Sequence, residues 1–192
     1  SIIDRMYIGN IPEVGDIALA GAGICGPIVT LLSSFGTLVG LGGSILMAMR
    51  LGEKKKDQAE QVLSNSFLML VIFSFLLTIT FLLMKDDLLI RFGASEVTFP
   101  YANTYMTIYT LGTFFALLGI GLNYFITCQG FSFISMTTVL IGAVTNIILD
   151  FVFIFVFHTG IAGAAWATII AQMLSCVFAV TFLFRKKVPI RI

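Results

Sequence analysis

Residues 17–49 read IALAGAGICGPIVTLLSSFGTLVGLGGSILMAM and carry no charged side chain. A helix needs about 20 consecutive apolar residues to cross a hydrocarbon core roughly 30 Å thick. This run is long enough for one tilted membrane helix. Pro27 is expected to kink or loosen it, because the ring removes a backbone donor and crowds the preceding turn.

The same alternation continues outward from this stretch. RLGEKKKDQAEQ (50–61) is a charged connector of helical character, and 61–84 is a second apolar span. KDDLLIRFGASE (85–96) reads as a charged loop. The run 97–149 is too long for a single crossing. TCQGFSFIS (127–135) holds the best turn chemistry in it, with Gln129, Gly130 and Ser132 together. That predicts one helix over 101–128 and another over 134–157. HTGIAG (158–163) is the next break, and 163–184 forms the last span. On the other side, SIIDRMYIG (1–9) reads as the tail of a helix whose beginning is absent, with no signal-peptide pattern. The chain stops at RKKVPIRI without a terminal domain, so it is expected to be a fragment. The fold class is all-α membrane protein: a single transmembrane unit over 1–192, with five complete helices after a truncated one.

Composition supports this. Of 192 residues, 58% are hydrophobic and only 11% charged, against about 25% charged in a soluble domain. Charge this sparse cannot cover a water-exposed surface, so the lipid bilayer is the main solvent and partner. The net charge is +1, and neither a polybasic nor an acidic tail is present, which excludes nucleic acid as a partner. Cys25, Cys128 and Cys176 lie in apolar segments, no CxxC pair occurs, and His158 is the one histidine. That is too few ligands for a zinc site, and the cysteines read as helix-packing residues. Arg50, Lys54, Lys55 and Lys56 share one connector, and Arg185, Lys186, Lys187 and Arg191 share the carboxy-terminal end. Arg5, Lys85 and Arg91 on the other side are mixed with Asp86, Asp87 and Glu96. The positive-inside rule places the lysine connector and the carboxy terminus in the cytoplasm.

Several motifs dissolve on inspection. GAGICG (21–26) matches G-x-G-x-x-G, but no acid occurs in 33–49 where a dinucleotide site needs one. Gly36, Gly40 and Gly43 instead have the spacing of close helix contacts in membranes. EKKKDQAE (53–60) is a solvated connector in preference to a lipid-headgroup patch, since Glu53, Asp57 and Glu60 offset the lysines. His158 falls where the fifth span meets water and reads as an interfacial residue in preference to a proton relay. Nothing points to an enzyme, a cofactor or a metal centre.

TNIILDFVFIF (145–155) resists such a reading. Asp150 is the only formal charge between Glu96 and Arg185. A carboxylate at mid-bilayer costs about 2.5–3.5 kcal/mol on insertion scales. Asn146 lies four residues earlier on the same helical face, and Gly142 another four back. Ala164, Thr168 and Gln172 follow the same spacing on the next helix. Two helices joined by a short loop can aim these groups at one another, forming a polar pocket of Asn146, Asp150, Thr168 and Gln172. Such a group can take up a proton or help hold Na⁺. The competing reading puts Asp150 near the outer end of its helix, reaching water. Asp4 in IIDRMYIGN is open between a loop charge and a site residue, with Arg5 beside it.

The ordered set IIDRMYIGN, ALAGAGICGPI, MRLGEKKKDQAEQ, TNIILDFVFIF and GIAGAAWATIIAQ resembles the amino-terminal lobe of the multidrug and toxic compound extrusion (MATE) transporters. The resemblance covers nearly the whole chain. It implies a twelve-helix protein of two six-helix lobes, of which this chain is the first, with most of helix 1 and the carboxy-terminal lobe missing. It implies multi-pass residence in a bacterial plasma membrane and efflux of hydrophobic or cationic small molecules in exchange for H⁺ or Na⁺. It also implies a cation site at the positions that match Asp4, Asn146 and Asp150, with Thr168 added in some members. Two rival readings remain: a lipid-linked oligosaccharide flippase of the same broad fold, and a non-transporting membrane scaffold. The flippase would need basic residues within the spans for pyrophosphate, and none is there. The scaffold has no use for an acid and an amide on one buried face.

Overall fold

The uncharged run from Ile17 to Met49 sits inside one unbroken helix. In the computed structural model, which describes residues 2–185, 188–190 and 192, α1 spans Ile2–Gly9 and α2 spans Gly15–Gly52. α3 follows at Lys56–Arg91, α4 at Phe99–Leu111, α5 at Thr113–Cys128 and α6 at Ser132–Phe151. A π-helical turn, Val152–Val156, extends α6, and α7 spans Gly160–Leu183. No strand occurs among the described residues. The basic residues Lys186, Lys187 and Arg191, part of the orientation argument, lie outside the described residues.

Helix lengths reveal where water begins. α2 has 38 residues and α3 has 36, each about 55 Å long at 1.5 Å per residue. Both exceed the hydrocarbon thickness, so their charged ends project beyond it. This explains one departure from the sequence expectation. Residues 85–91, read as loop, are the last two turns of α3. Lys85 there donates to Asp86 Oδ1 at 2.8 Å and also bonds Asn103 Oδ1 on α4. The true turn comes at Gly93, with φ +98°. α2 runs helically through Pro27. The ring opposes the Gly23 carbonyl and supplies no amide to it, yet the helix continues on both sides.

A second departure concerns the span expected over 101–128. It is two helices, α4 and α5, bent by 57° at Gly112. Gly112 adopts φ −86°, ψ 0°, and the carbonyl of Thr110, freed by the break, accepts from the Thr78 hydroxyl at 3.4 Å. Side chains of neighbouring helices commonly satisfy backbone groups released inside a membrane. By length and hydropathy α2, α3, α6 with its π turn, and α7 can each cross a membrane, and the bent α4–α5 pair is long and apolar enough for a fifth crossing if it forms one span.

Two clusters build the interior. At the lysine-connector end Met47, Leu63, Leu70, Leu122, Phe125, Phe182 and Ile190 pack together. Ile190 is fully buried there, and its amide donates to Gln129 Oε1 at 3.0 Å. At the opposite end Ile8, Ala18, Ile28, Leu89, Met106, Ile154 and Ala164 pack together. The tightest crossing joins α2 to α5. A Cβ at Gly40 would lie 2.7 Å from the backbone of Gly121, so only glycine allows this approach. Leu83, Phe133 and many other large apolar side chains point outward, as lipid contact requires. Cys25 and Cys176 are buried free thiols and Cys128 is half-buried.

α1 is short but held in place. Tyr7 meets Phe151 and Phe155 edge-on, with ring centroids 6.4 and 5.7 Å away. Edge-to-face pairs of this kind add to the area they bury.

Candidate functional site

α6 carries Asn146 and Asp150 one helical turn apart, so both face α7 and α1. Asp150 is fully buried, which removes the water-exposed alternative. Asn146 Nδ2 donates toward Asp150 Oδ1 at 3.5 Å and toward Thr168 Oγ1 at 3.4 Å. Both contacts are long for hydrogen bonds, so the amide bridges the two groups loosely. Thr168 in turn donates to the Ala164 carbonyl at 3.0 Å, which orients its oxygen toward Asn146.

α1 brings the second acid. Asp4 is 5% exposed, and its carboxyl group is a hydrogen-bonding neighbour of the Asp150 carboxyl. Two carboxylates in contact away from water repel unless a proton or a cation lies between them. Asp150 Oδ2 is buried with no hydrogen-bond donor directed at it. Two carboxylates and a hydroxyl offer hard oxygen, which suits a proton or an alkali cation, while the Asn146 amide turns its N–H group toward Asp150 and Thr168. No group of three or more His, Cys, Asp or Glu side chains is clustered for a metal among the described residues.

A cavity of about 390 Å³ opens beside this cluster, and Asp4, Asn146, Thr168 and Gln172 line it. Asp150 lies behind them and does not line the wall. The predicted residues are therefore all adjacent, in two layers: Asp150 at the back, the others at the cavity face. No lysine or arginine is among the lining residues.

Sequence reasoning missed part of the wall. Tyr105 and Tyr109 of α4 stack at 6.1 Å with planes 12° apart. Tyr105 lines the cavity together with Thr168, and the Tyr109 hydroxyl accepts from Gln172 Nε2 at 3.4 Å. Their four-residue spacing was a usable signal. Asn123 of α5 was also missed. Its Oδ1 and Gln172 Oε1 are buried cavity-side acceptors without a partner. Ser175 Oγ closes the far side by donating to the Thr138 carbonyl at 2.9 Å.

The bundle and its buried acid pair define an all-α, multi-pass membrane protein with a polar site between helices. Comparison with known proteins narrows this. The family model MatE matches residues 1–152, and the chain belongs to that family. The multidrug export protein MepA of Staphylococcus haemolyticus is 31% identical over 160 residues, covering 83% of this chain and 35% of MepA. The probable multidrug resistance protein YpnP of Bacillus subtilis is 30% identical over 194 residues, covering 96% of this chain and 41% of YpnP. The crystal structure of a MATE protein in its bent conformation superposes with a TM-score of 0.93 at 26% identity, covering all of this chain and 42% of that one. A MOP-superfamily transporter from Pyrococcus furiosus gives 0.92 at 26% identity, with the same two coverages. The chain thus spans well under half the length of these relatives. The family, the bacterial relatives and the apolar helices make it a multi-pass protein of the bacterial plasma membrane, related to export proteins and not to enzymes.

Proposed function

We propose that this chain is the cation-binding lobe of a transporter that expels hydrophobic or cationic small molecules in exchange for H⁺ or Na⁺. The observation that carries this reading is the buried pair Asp4–Asp150, bridged to Thr168 by Asn146 beside a cavity. The similarity to the multidrug export protein MepA supports it. In this reading a carboxy-terminal lobe completes the transport path.

The chemistry follows from charge. With both acids ionised the site attracts a cation from the side that is open. Binding a proton or Na⁺ between Asp4 and Asp150 cancels their repulsion, so α1 and α6 can close on one another. Closure draws the wall formed by Asn146, Thr168 and Gln172 inward and changes the space left for the small molecule. Release of the ion on the other side restores the repulsion and reopens the cavity. An ion couples to transport only through such a difference in affinity between two states.

The lack of any basic lining residue argues against a pyrophosphate-carrying substrate. The test is ethidium efflux from cells lacking their own pumps, with the full-length transporter expressed. Asp150→Asn should abolish the dependence of efflux on Na⁺ or on pH. Efflux with native ion dependence in that variant would refute the reading.

A further inference from the structure

We infer that the Gly112–Ile169 contact is a positioning device for the cation site, setting the distance between α4 and α7 at the height of Thr168. The inference rests on the cation-site reading above and names residues outside the lining of that site.

The break between α4 and α5 falls at Gly112, opposite α7. A Cβ at Gly112 would lie 2.5 Å from Ile169 Cγ1, 3.0 Å from its Cδ1 and 3.1 Å from its Cγ2. The side chain of Ile169 therefore occupies the space that any other residue at 112 would need. Ile169 is 6% exposed and β-branched, with few rotamers by which to yield. It is the residue next to Thr168. Above the break, Tyr105 of α4 lines the cavity together with Thr168 of α7, and the Tyr109 hydroxyl accepts from Gln172 of α7. Both pairs reach one another only if the two helices approach as closely as the bare glycine permits.

The break is maintained at a cost. Thr113, the first residue of α5, has a fully buried hydroxyl with no partner, and the Thr110 carbonyl depends on Thr78 of α3. A straight helix would need neither arrangement. On either side of the bend the chain keeps contact with α7: α4 packs on α7, α2 and α3 alike, and α5 packs on α7 and along the glycines of α2. Tyr105 lines the cavity with both Thr168 and Asp4, so Gly112 is a positioning residue that reaches the ion only through its neighbours.

The experiment uses the full-length transporter and the same ethidium assay, titrated with external Na⁺ at fixed pH and with pH at fixed Na⁺. Gly112→Ala should raise the half-maximal concentration of the coupling ion roughly tenfold, the effect of disturbing the partners of a coordinating group. Adding Ile169→Ala removes all three clashing atoms and should return it to the native value. A native half-maximal concentration in Gly112→Ala overturns the inference, as does a shift that Ile169→Ala fails to reverse. Where Gly112→Ala does not accumulate in the membrane, Ile169→Ala alone carries the test. It empties the contact and should also shift the titration, and a native titration there overturns the inference. Asp150→Asn is measured alongside. If it keeps native ion dependence, the site reading itself has failed. If it loses that dependence while the Gly112 and Ile169 variants keep theirs, only the positioning role has failed.

Discussion

The α2–α5 seam and the α6–α7 seam are built on opposite terms. Along α2–α5, Gly40 meets Gly121 backbone to backbone and Gly36 meets the Leu117 backbone. Nothing polar separates them, and dispersion between closely packed atoms holds the crossing. Along α6–α7 the contacts are polar, of ordinary length at Ser175 and long around Asn146. Asn146 reaches Thr168 at 3.4 Å, Ser175 reaches the Thr138 carbonyl, and the cavity lies against both helices. A seam without slack serves as a frame. A seam with long hydrogen bonds and free volume tolerates the small displacements that ion binding demands.

The largest effect that would sharpen this contrast is Gly40→Val. Its branched side chain has no room against Gly121, and overpacking costs about 3 kcal/mol or more here. Thermal unfolding of the purified protein in detergent should show a large fall in melting temperature, and an unchanged value would break the contrast. Next comes Asp150→Asn, which should leave melting close to native, since the amide fills the same volume and removes the repulsion with Asp4. Its loss appears in ion-coupled efflux. A melting defect as large as that of Gly40→Val would show that the polar seam is also frame. Thr168→Val keeps the shape of Thr168 and deletes one acceptor. It should cost roughly 1 kcal/mol of ion affinity, about a fivefold shift in the Na⁺ or pH titration. Glu53→Gln in the exposed connector should do least. Hydrogen bonds from Lys55 and Arg50 hold the Glu53 carboxyl below the usual carboxylate range. A lowered value means that any stability it lends is present above the ordinary carboxylate range and is lost as pH falls through the lowered value. With the group in full contact with water, melting from pH 7 down to pH 3 should be the same in Glu53→Gln as in the native chain, apart from scatter.

The sequence was legible where physics is local. Uncharged runs marked the spans because a charge in hydrocarbon is costly wherever it falls. The four-residue spacing of Asn146 and Asp150, and of Ala164, Thr168 and Gln172, predicted which helix faces meet. The break at Gly112 was not legible. A glycine within an apolar run looks like its neighbours until the position of Ile169 is known. Tyr105, Tyr109 and Asn123 were missed for a related reason. A polar residue in a membrane helix has many permitted directions, and only the bent path of α4 and α5 turns these three toward the cavity. The helical state of 85–91 was missed because charge there signals the end of the hydrocarbon, which is not the end of the helix.

Winding one extra residue into the chain just past Asp150 turns everything beyond it by about 100° about the helix axis. The π turn is at Val152–Val156, and Phe151 just before it and Phe155 within it both meet Tyr7. Tyr7 lies three residues after Asp4 on the same short helix. The aromatic clasp therefore acts as an alignment pin, and it fixes how far along its axis α1 can slide. Deleting one residue from the π turn at 152–156 would swing Phe155 away from Tyr7, and the two acids would no longer sit level.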